Sequence, residues 1–336
     1  MILKHLEQIK PDVISLHNIH GGYFETRLLK KLSIKYPLVW TIHDMWSFTG
    51  NAAHTFGNLK WSELKSFKGE NKLYPQIGLN IGRWLIRRKK HIYKNAEFCI
   101  AAPSKWIFNM ALQTPLFKGK KVNYLPNGID LEEYHPNGKG ISKINLGIAT
   151  ETPVLFLFKE WINEMPAKGG TVINEILQGI ERNLNKKAVL IAYGRGIIEV
   201  KGDFKKLSVI DAPVPGNLNL SLNDYYNCAD LLLYFSKADT LPNTIMEAMA
   251  SGCACAAFDI GGINEMVQNN HSGLLIKPFD KEEYIFRTVS LLNDRVLLAQ
   301  YGINARKKIM AEYDIKSSAF KYYGLFNKLI DERKND

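Results

Sequence analysis

Short apolar runs alternate with helical stretches along the chain. Pro11 closes a helix over residues 1–10, and Val13-Ile14-Ser15-Leu16 follows as a short buried strand. Pro37 precedes Leu38-Val39-Trp40-Thr41-Ile42 in the same way. Residues 48–79 are mixed in composition and rich in Lys, Asn and Gly, so they read as a long surface excursion with one short helix. A basic helix over 82–94 leads to a strand at 98–102, and Ser104 stands where the cap of a helix over 105–112 belongs. Val122-Asn123-Tyr124-Leu125 then runs into a Pro-Asn-Gly turn. Tyr134-His135-Pro136-Asn137-Gly138-Lys139-Gly140 has the composition of a linker, and beyond it the rhythm restarts. Strands at 154–158, 188–193, 207–210, 231–234 and 253–258 alternate with helices near 171–183, 222–228, 243–250, 264–267 and 281–292. Helices over 296–312 and 315–330 close the chain.

Continuous apolar strands alternating with helices make parallel sheets covered on both faces. The expectation is an α/β protein of two doubly wound parallel-sheet domains facing a cleft. Residues 1–135 form the first, residues 136–315 the second, and 316–336 a helix packing back toward the first. Ligands of such sheets bind outside the carboxyl ends of the strands.

Composition narrows the class. The 336 residues are 46% apolar, enough for a core in each domain, which excludes a disordered chain. The apolar run Leu231 to Phe235 is far short of the roughly 20 residues that cross a bilayer, and MILKHLEQIK carries charges where a signal peptide has its apolar core. A cytoplasmic protein is expected. Cys99, Cys228, Cys253 and Cys255 show neither disulfide nor metal spacing and read as buried thiols.

Charge adds an asymmetry. Residues 1–135 hold 20 Lys or Arg against 10 Asp or Glu, while the rest of the chain holds 24 against 23. The excess gathers at Lys60, Lys65, Lys68, Lys72, Arg83, Arg87, Arg88, Lys89, Lys90 and Lys94, beside Trp84, Leu85, Ile86 and Ile92. That pattern suits an amphipathic surface on anionic lipid as well as a plainly solvated face. Nucleic acid is set aside, since no reader motif or spaced aromatic platform accompanies the charge.

The chemistry concentrates in three places. Lys237-Ala-Asp-Thr-Leu-Pro-Asn-Thr-Ile-Met-Glu-Ala-Met-Ala-Ser-Gly252 runs as polar loop then helix, and Gly261-Gly262 follows the next strand. Asp239 and Glu247 are carboxylates near a strand end, where they can accept hydrogen bonds from vicinal hydroxyls; Gly261-Gly262 can form an anion nest. His17, His20 and Gly22 follow one strand end and His43-Asp44 the next. Imidazoles there suit hydrogen bonding to a hydroxyl or a sugar.

The Asp239-to-Glu247 stretch resembles the donor-binding signature of GT-B glycosyltransferases, in particular the large retaining nucleotide-sugar family known as glycosyltransferase family 4 or glycosyl transferases group 1. That family includes capsule, colanic-acid and lipopolysaccharide enzymes. The likeness extends to Pro103-Ser104-Lys105-Trp106 and Pro126-Asn127-Gly128-Ile129-Asp130, and runs from Pro11 to about Ile330. The family pattern is glutamate, seven residues, glutamate; here Asp239 fills the first position. The resemblance implies that Glu247 holds the donor ribose and Asp239 the transferred sugar, with Leu241 and Thr244 positioning sugar or base and Gly261-Gly262 near the diphosphate. His43 orients donor and acceptor, Asp44 is its neighbour, and His17, His20 and Gly22 line the acceptor side. Lys168-Gly169 matches the second member of the family's phosphate clamp; no arginine precedes it, and Lys159 either substitutes or is simply solvated.

The same resemblance implies a retaining transfer from a UDP- or GDP-sugar to a hydroxyl of a glycan or lipid-linked acceptor in cell-surface polysaccharide synthesis, by front-face attack. It implies no cofactor and no metal, and a place in the cytoplasm or peripheral on the inner face of the membrane. Two departures accompany it. Relatives often carry cysteines between positions equivalent to 50 and 76, and this chain has none there. Relatives also place one or more βα units before the His17 strand, so the first domain is expected to be shortened at its N-terminus. The alternative is an impaired relative that binds a nucleotide-sugar or partner without transfer.

Overall fold

The computed structural model describes residues 2–20, 22–159, 169–195, 204–212 and 220–335. Two compact units emerge: residues 1–127 with 317–336, and residues 128–316.

The first unit opens with α1 (Ile2–Ile9), β1 (Ile14–His17), α2 (Leu28–Lys35) and β2 (Leu38–Thr41), and continues with α3 (Gly82–Lys94), β3 (Cys99–Ala102), α4 (Lys105–Gln113) and β4 (Val122–Tyr124). Its four strands are parallel in the order β1-β2-β3-β4. Ser104 caps α4 by accepting from the Ile107 amide at 3.3 Å. Trp40 packs at the centre of one face, edge-on to Tyr93, Phe98 and Phe117.

The second unit contains α5 (Lys139–Asn145), β5 (Val154–Phe158), α6 (Gly170–Asn183), β6 (Ala188–Tyr193), β7 (Leu207–Ala212), α7 (Leu222–Cys228) and β8 (Leu231–Tyr234). It continues with α8 (Asn243–Ala250), β9 (Ala254–Phe258), α9 (Ile263–Met266), β10 (Gly273–Ile276), α10 (Lys281–Asn293) and α11 (Arg295–Glu312). The six-stranded sheet runs β10-β9-β8-β5-β6-β7, all parallel. Core clusters cover both faces, as the continuous apolar strands require. Chain direction across the sheet reverses between β5 and β8, which makes their carboxyl ends the topological switch point.

The last helix, α12 (Ile315–Asn335), covers the second face of the four-stranded sheet. Tyr322, Leu325, Phe326 and Leu329 pack there against Val39, Cys99, Ala101 and Leu125. The Ser318 hydroxyl donates to the Pro126 carbonyl at 2.6 Å, and that of Tyr322 lies 3.1 Å from Thr41 Oγ1.

Three sequence expectations need correction. Residues 139–145 form α5 where linker composition pointed to a loop, and β10, whose apolar run is only Leu274-Leu275-Ile276, is not among the expected strands. The 48–79 segment is a packed layer that follows the 3-10 turn at Met45–Phe48 and holds two more, at Lys60–Glu63 and Glu70–Lys72. Trp61, 2% exposed, packs at a tilt against Phe48, and Glu70, 3% exposed, accepts from the Asn51 amide at 3.0 Å. Gly50 and Gly82 leave room for that carboxylate: a Cβ on either would lie within 3 Å of a Glu70 oxygen. All four cysteines are free and buried.

Candidate donor and acceptor sites

At the carboxyl ends of the strands of the second unit, the segment after β8 is approached so closely by those after β5 and β9 that two positions require glycine. Gly169 has φ +83°, and a Cβ there would lie 2.0 Å from the Phe235 carbonyl oxygen. Gly261 has φ +58°, and a Cβ would lie 1.8 Å from the carbonyl oxygen of Asp239. The Gly262 amide donates to that same carbonyl at 3.3 Å. The Gly-Gly turn therefore fastens the 239 loop, and its second amide is already engaged, which the anion-nest expectation did not foresee.

Each carboxylate of the signature is held by a tyrosine. Tyr234, the last residue of β8, donates to Oδ2 of Asp239 at 2.6 Å. Tyr226, on α7, donates to Oε2 of Glu247 at 2.9 Å. Burial pushes both phenols well above their ordinary pKa, so each stays protonated and able to donate. Burial also raises the Glu247 carboxyl; the Tyr226 hydrogen bond opposes that and nearby Glu133 adds to it. Neither tyrosine stood out in the sequence, where they fall in the helix over 222–228 and the strand at 231–234. Tyr226 does pack in the core, its ring centroid 4.8 Å from Phe156.

The remaining donor-side residues divide. Thr244 is half-buried in the first turn of α8, while Leu241 is 6% exposed and belongs to the hydrophobic core. Lys159 directly follows β5, its ammonium buried and ion-paired to Asp211, the carboxylate of which is exposed. Of the two earlier options for Lys159, solvation is therefore excluded, and its charge is already partnered. Lys168 lies outside the described residues.

In the first unit, β1 and β2 pair with His17 beside Thr41, so the loops after them leave the sheet together. His17 Nδ1 lies 2.9 Å from His43 Nε2, and His17 Nε2 3.0 Å from Ser15 Oγ. Burial first, and His17 second, hold the His43 imidazole down to about 4, with Asp44 partly opposing. His43 is accordingly neutral near pH 7. Asp44 partners His20 and not His43: His20 Nε2 meets Asp44 Oδ2 at 2.8 Å, while Oδ1 caps the 3-10 turn through the Trp46 amide at 2.8 Å. The rings of Trp46 and Tyr74 flank His20, and its Nδ1 is buried without a partner. Gly22 has φ +91° in the loop after β1.

Lys89 is the residue that sequence reasoning misplaced. Counted there among surface cations, it is 4% exposed, and its ammonium donates to the carbonyls of Trp46, Thr49 and Gly50. It also sits 3.7 Å from the centroid of the Trp46 ring. These acceptors close the turn that Asp44 opens, so Lys89 fixes the segment that follows His43. Ile86 and Ile92 are buried with it, because α3 turns these positions inward at helical spacing. Arg83, Trp84, Arg87, Lys90 and Lys94 form its exposed face.

Comparison with known proteins agrees with both units. Residues 1–133 match the family described as Glycosyltransferase Family 4, and residues 161–294 that described as Glycosyl transferases group 1. The chain is 28% identical over 218 residues to the UDP-Gal:alpha-D-GlcNAc-diphosphoundecaprenol alpha-1,3-galactosyltransferase of Escherichia coli, covering 62% of this chain and 55% of that protein. Sucrose-phosphate synthase from Thermosynechococcus elongatus has a similar structure (TM-score 0.71, 16% identity), covering 98% of this chain and 77% of that one. Anabaena HepE, solved in complex with UDP, gives TM-score 0.67 at 15% identity, covering 97% and 82%. The chain spans 55 to 61% of the length of the curated relatives it matches first. With two parallel-sheet α/β units of the GT-B fold and family matches on both, the chain belongs to the group 1, family 4 glycosyltransferases.

Proposed function

We propose that this chain carries out a retaining glycosyl transfer from a UDP- or GDP-sugar to a hydroxyl of a glycan or lipid-linked acceptor, in the synthesis of a cell-surface polysaccharide. The observation that carries the reading is the pair of tyrosine-held carboxylates, Asp239 and Glu247, in the loop and helix that follow the switch-point strand β8. Glu247 accepts hydrogen bonds from the donor ribose and Asp239 from the transferred sugar. Lys168 is assigned to the diphosphate, where an ammonium offsets charge developing on the leaving group. The glycosidic C1–O bond to the diphosphate breaks, C1 bonds to the acceptor oxygen on the same face, and the acceptor proton passes to the departing phosphate oxygen. Neutral His43 orients the reactants through hydrogen bonds, with His17, His20, Gly22 and Asp44 shaping the acceptor side.

Support for a lipid-linked acceptor comes from the E. coli relative, named for a diphosphoundecaprenol substrate. Support for a uridine donor comes from HepE, solved with UDP. No helix among the described residues is long and apolar enough to cross a membrane. We assign contact with anionic lipid to exposed Arg83, Arg87 and Lys90, beside the exposed apolar side chains of Leu79, Ile81 and Trp84. A screen of purified protein with UDP- and GDP-sugars and a lipid extract tests the function. Nucleoside diphosphate release coupled to sugar transfer supports it; binding without transfer supports the non-catalytic relative instead.

A further inference from the structure

A second concave site lies wholly within the 128–316 unit, at the end of its sheet opposite the switch point. It is a cavity of about 540 Å³, within the size range of small-molecule sites. Its floor is formed where strands begin: Pro153 precedes β5, Asp230 precedes β8, and Ser251-Gly252 precede β9. One wall is α5 and the other α11. Gly302 of α11 seats that helix directly on the floor, since a Cβ there would lie 2.4 Å from the Gly252 carbonyl oxygen.

The lining combines an apolar strip with an excess of positive charge. Leu298, Ala299 and Ile303 run along the α11 wall at helical spacing. Lys139 and Lys143 enter from α5, and Arg295, Arg306 and Lys307 from α11, against the single carboxylate of Asp230. Both α5 lysines are spent on that one group, at 3.0 and 2.9 Å, which leaves one positive charge uncompensated there. Lys143 is almost fully buried and adds a bond to the Thr152 carbonyl at 2.7 Å. Arg306 donates to the carbonyls of Tyr134 and Ala250, both at 2.7 Å, so it brings charge into the cavity without a carboxylate. Among the described residues, Arg295 and Lys307 have no acidic partner. Like charges facing each other across a low-dielectric concavity focus a positive potential on whatever enters.

We infer that this cavity binds an organic phosphate, its phosphoryl group held by Arg295 and Lys307 within the positive field of the cavity and its apolar part laid against Leu298, Ala299 and Ile303. The site is independent of the donor-binding residues proposed above, and its occupancy is separable from transfer.

The test is calorimetric titration of the full chain with glucose 1-phosphate and, separately, with dihexanoyl phosphatidic acid below its micellar concentration, both with UDP in saturating excess to occupy the proposed donor site. Binding of either probe that weakens by about tenfold or more in Arg295→Glu/Lys307→Glu supports the inference, and the probe that binds tells a soluble phosphate from a lipid one. Both positions are exposed, so the variant is expected to fold, and a thermal melt checks this. Ala299→Trp fills the apolar strip and is expected to weaken the same ligand. The inference is overturned if neither probe binds at about 5 mM, or if binding is equal in the wild type and the charge-reversed variant.

Discussion

The phenol of Tyr226 donates to Glu247 Oε2 across 2.9 Å, tying a helix of the sheet's cover to the carboxylate assigned to the donor ribose. The bond holds one oxygen of a half-buried carboxylate. Tyr226→Phe keeps the packing against Phe156 and removes only the donor. A hydrogen bond to a charged group is worth about 1.5–3 kcal/mol. The Michaelis constant for the nucleotide-sugar is expected to rise about tenfold while the fold, read by thermal melting, changes little; an unaltered constant would show that Tyr226 is only structural.

The close approaches of the segments after β5 and β9 to the loop after β8 make Gly169 and Gly261 intolerant of any side chain. Both have positive φ, and a Cβ at either would overlap a backbone carbonyl. Gly261→Ala is expected to cost roughly 2–4 kcal/mol of stability in urea unfolding, or to shift the 239 loop with loss of donor affinity. A variant with wild-type stability and wild-type donor affinity would contradict this packing.

His43 sets a pH dependence with a definite sign. Its imidazole is held down to about 4 from an ordinary 6.5, mainly by burial. Between these values the unfolded chain binds the proton that the folded one excludes. The stabilisation is complete above about 6.5 and is lost as pH falls through about 4. Urea unfolding across this window should be less acid-sensitive in His43→Gln than in the wild type, and an NMR titration should put the His43 midpoint well below that of an exposed histidine. Turnover of His43→Ala is expected to fall; unchanged turnover would remove its assigned role.

Lys89 offers a stability test in the first unit. Lys89→Met keeps the apolar stem but leaves the carbonyls of Trp46, Thr49 and Gly50 without this donor. A cost of roughly 2–4 kcal/mol is expected, together with weaker acceptor use, because the turn opened by Asp44 loses its anchor. A variant as stable as the wild type would mean that the turn is held by other contacts.

The exposed face of α3 gives the membrane reading its own test. Arg83→Glu/Arg87→Glu/Lys90→Glu should abolish flotation with anionic liposomes, and wild-type flotation should fall as salt is raised. Salt-insensitive flotation, or none at all by the wild type, would set the reading aside.

Residues with strong local signatures were legible in the sequence. Apolar strand runs gave both parallel sheets, Ser104 marked its helix, and the Asp239-to-Glu247 spacing marked the family. What escaped depends on contacts distant in sequence. Lys89 looked like one cation among many until α3 turned it inward beneath Trp46. Glu70 gave no sign of being buried, because the Gly50 and Gly82 that accommodate it lie 20 and 12 residues away. Tyr226 and Tyr234 carry two functions in one side chain, ring in the core and hydroxyl on a carboxylate, and apolar periodicity registers only the first. Asp44 was assigned to His43 by adjacency, whereas the loop geometry gives it to His20.

The central claim is sugar transfer that depends on Glu247. Purified wild-type protein and Glu247→Ala, incubated with labelled UDP- or GDP-sugars and a lipid extract, should differ by about a hundredfold in transfer, with wild-type product formed at retained anomeric configuration and matched by nucleoside diphosphate release. Equal transfer by the two proteins, or an inverted product from the wild type, would contradict the account.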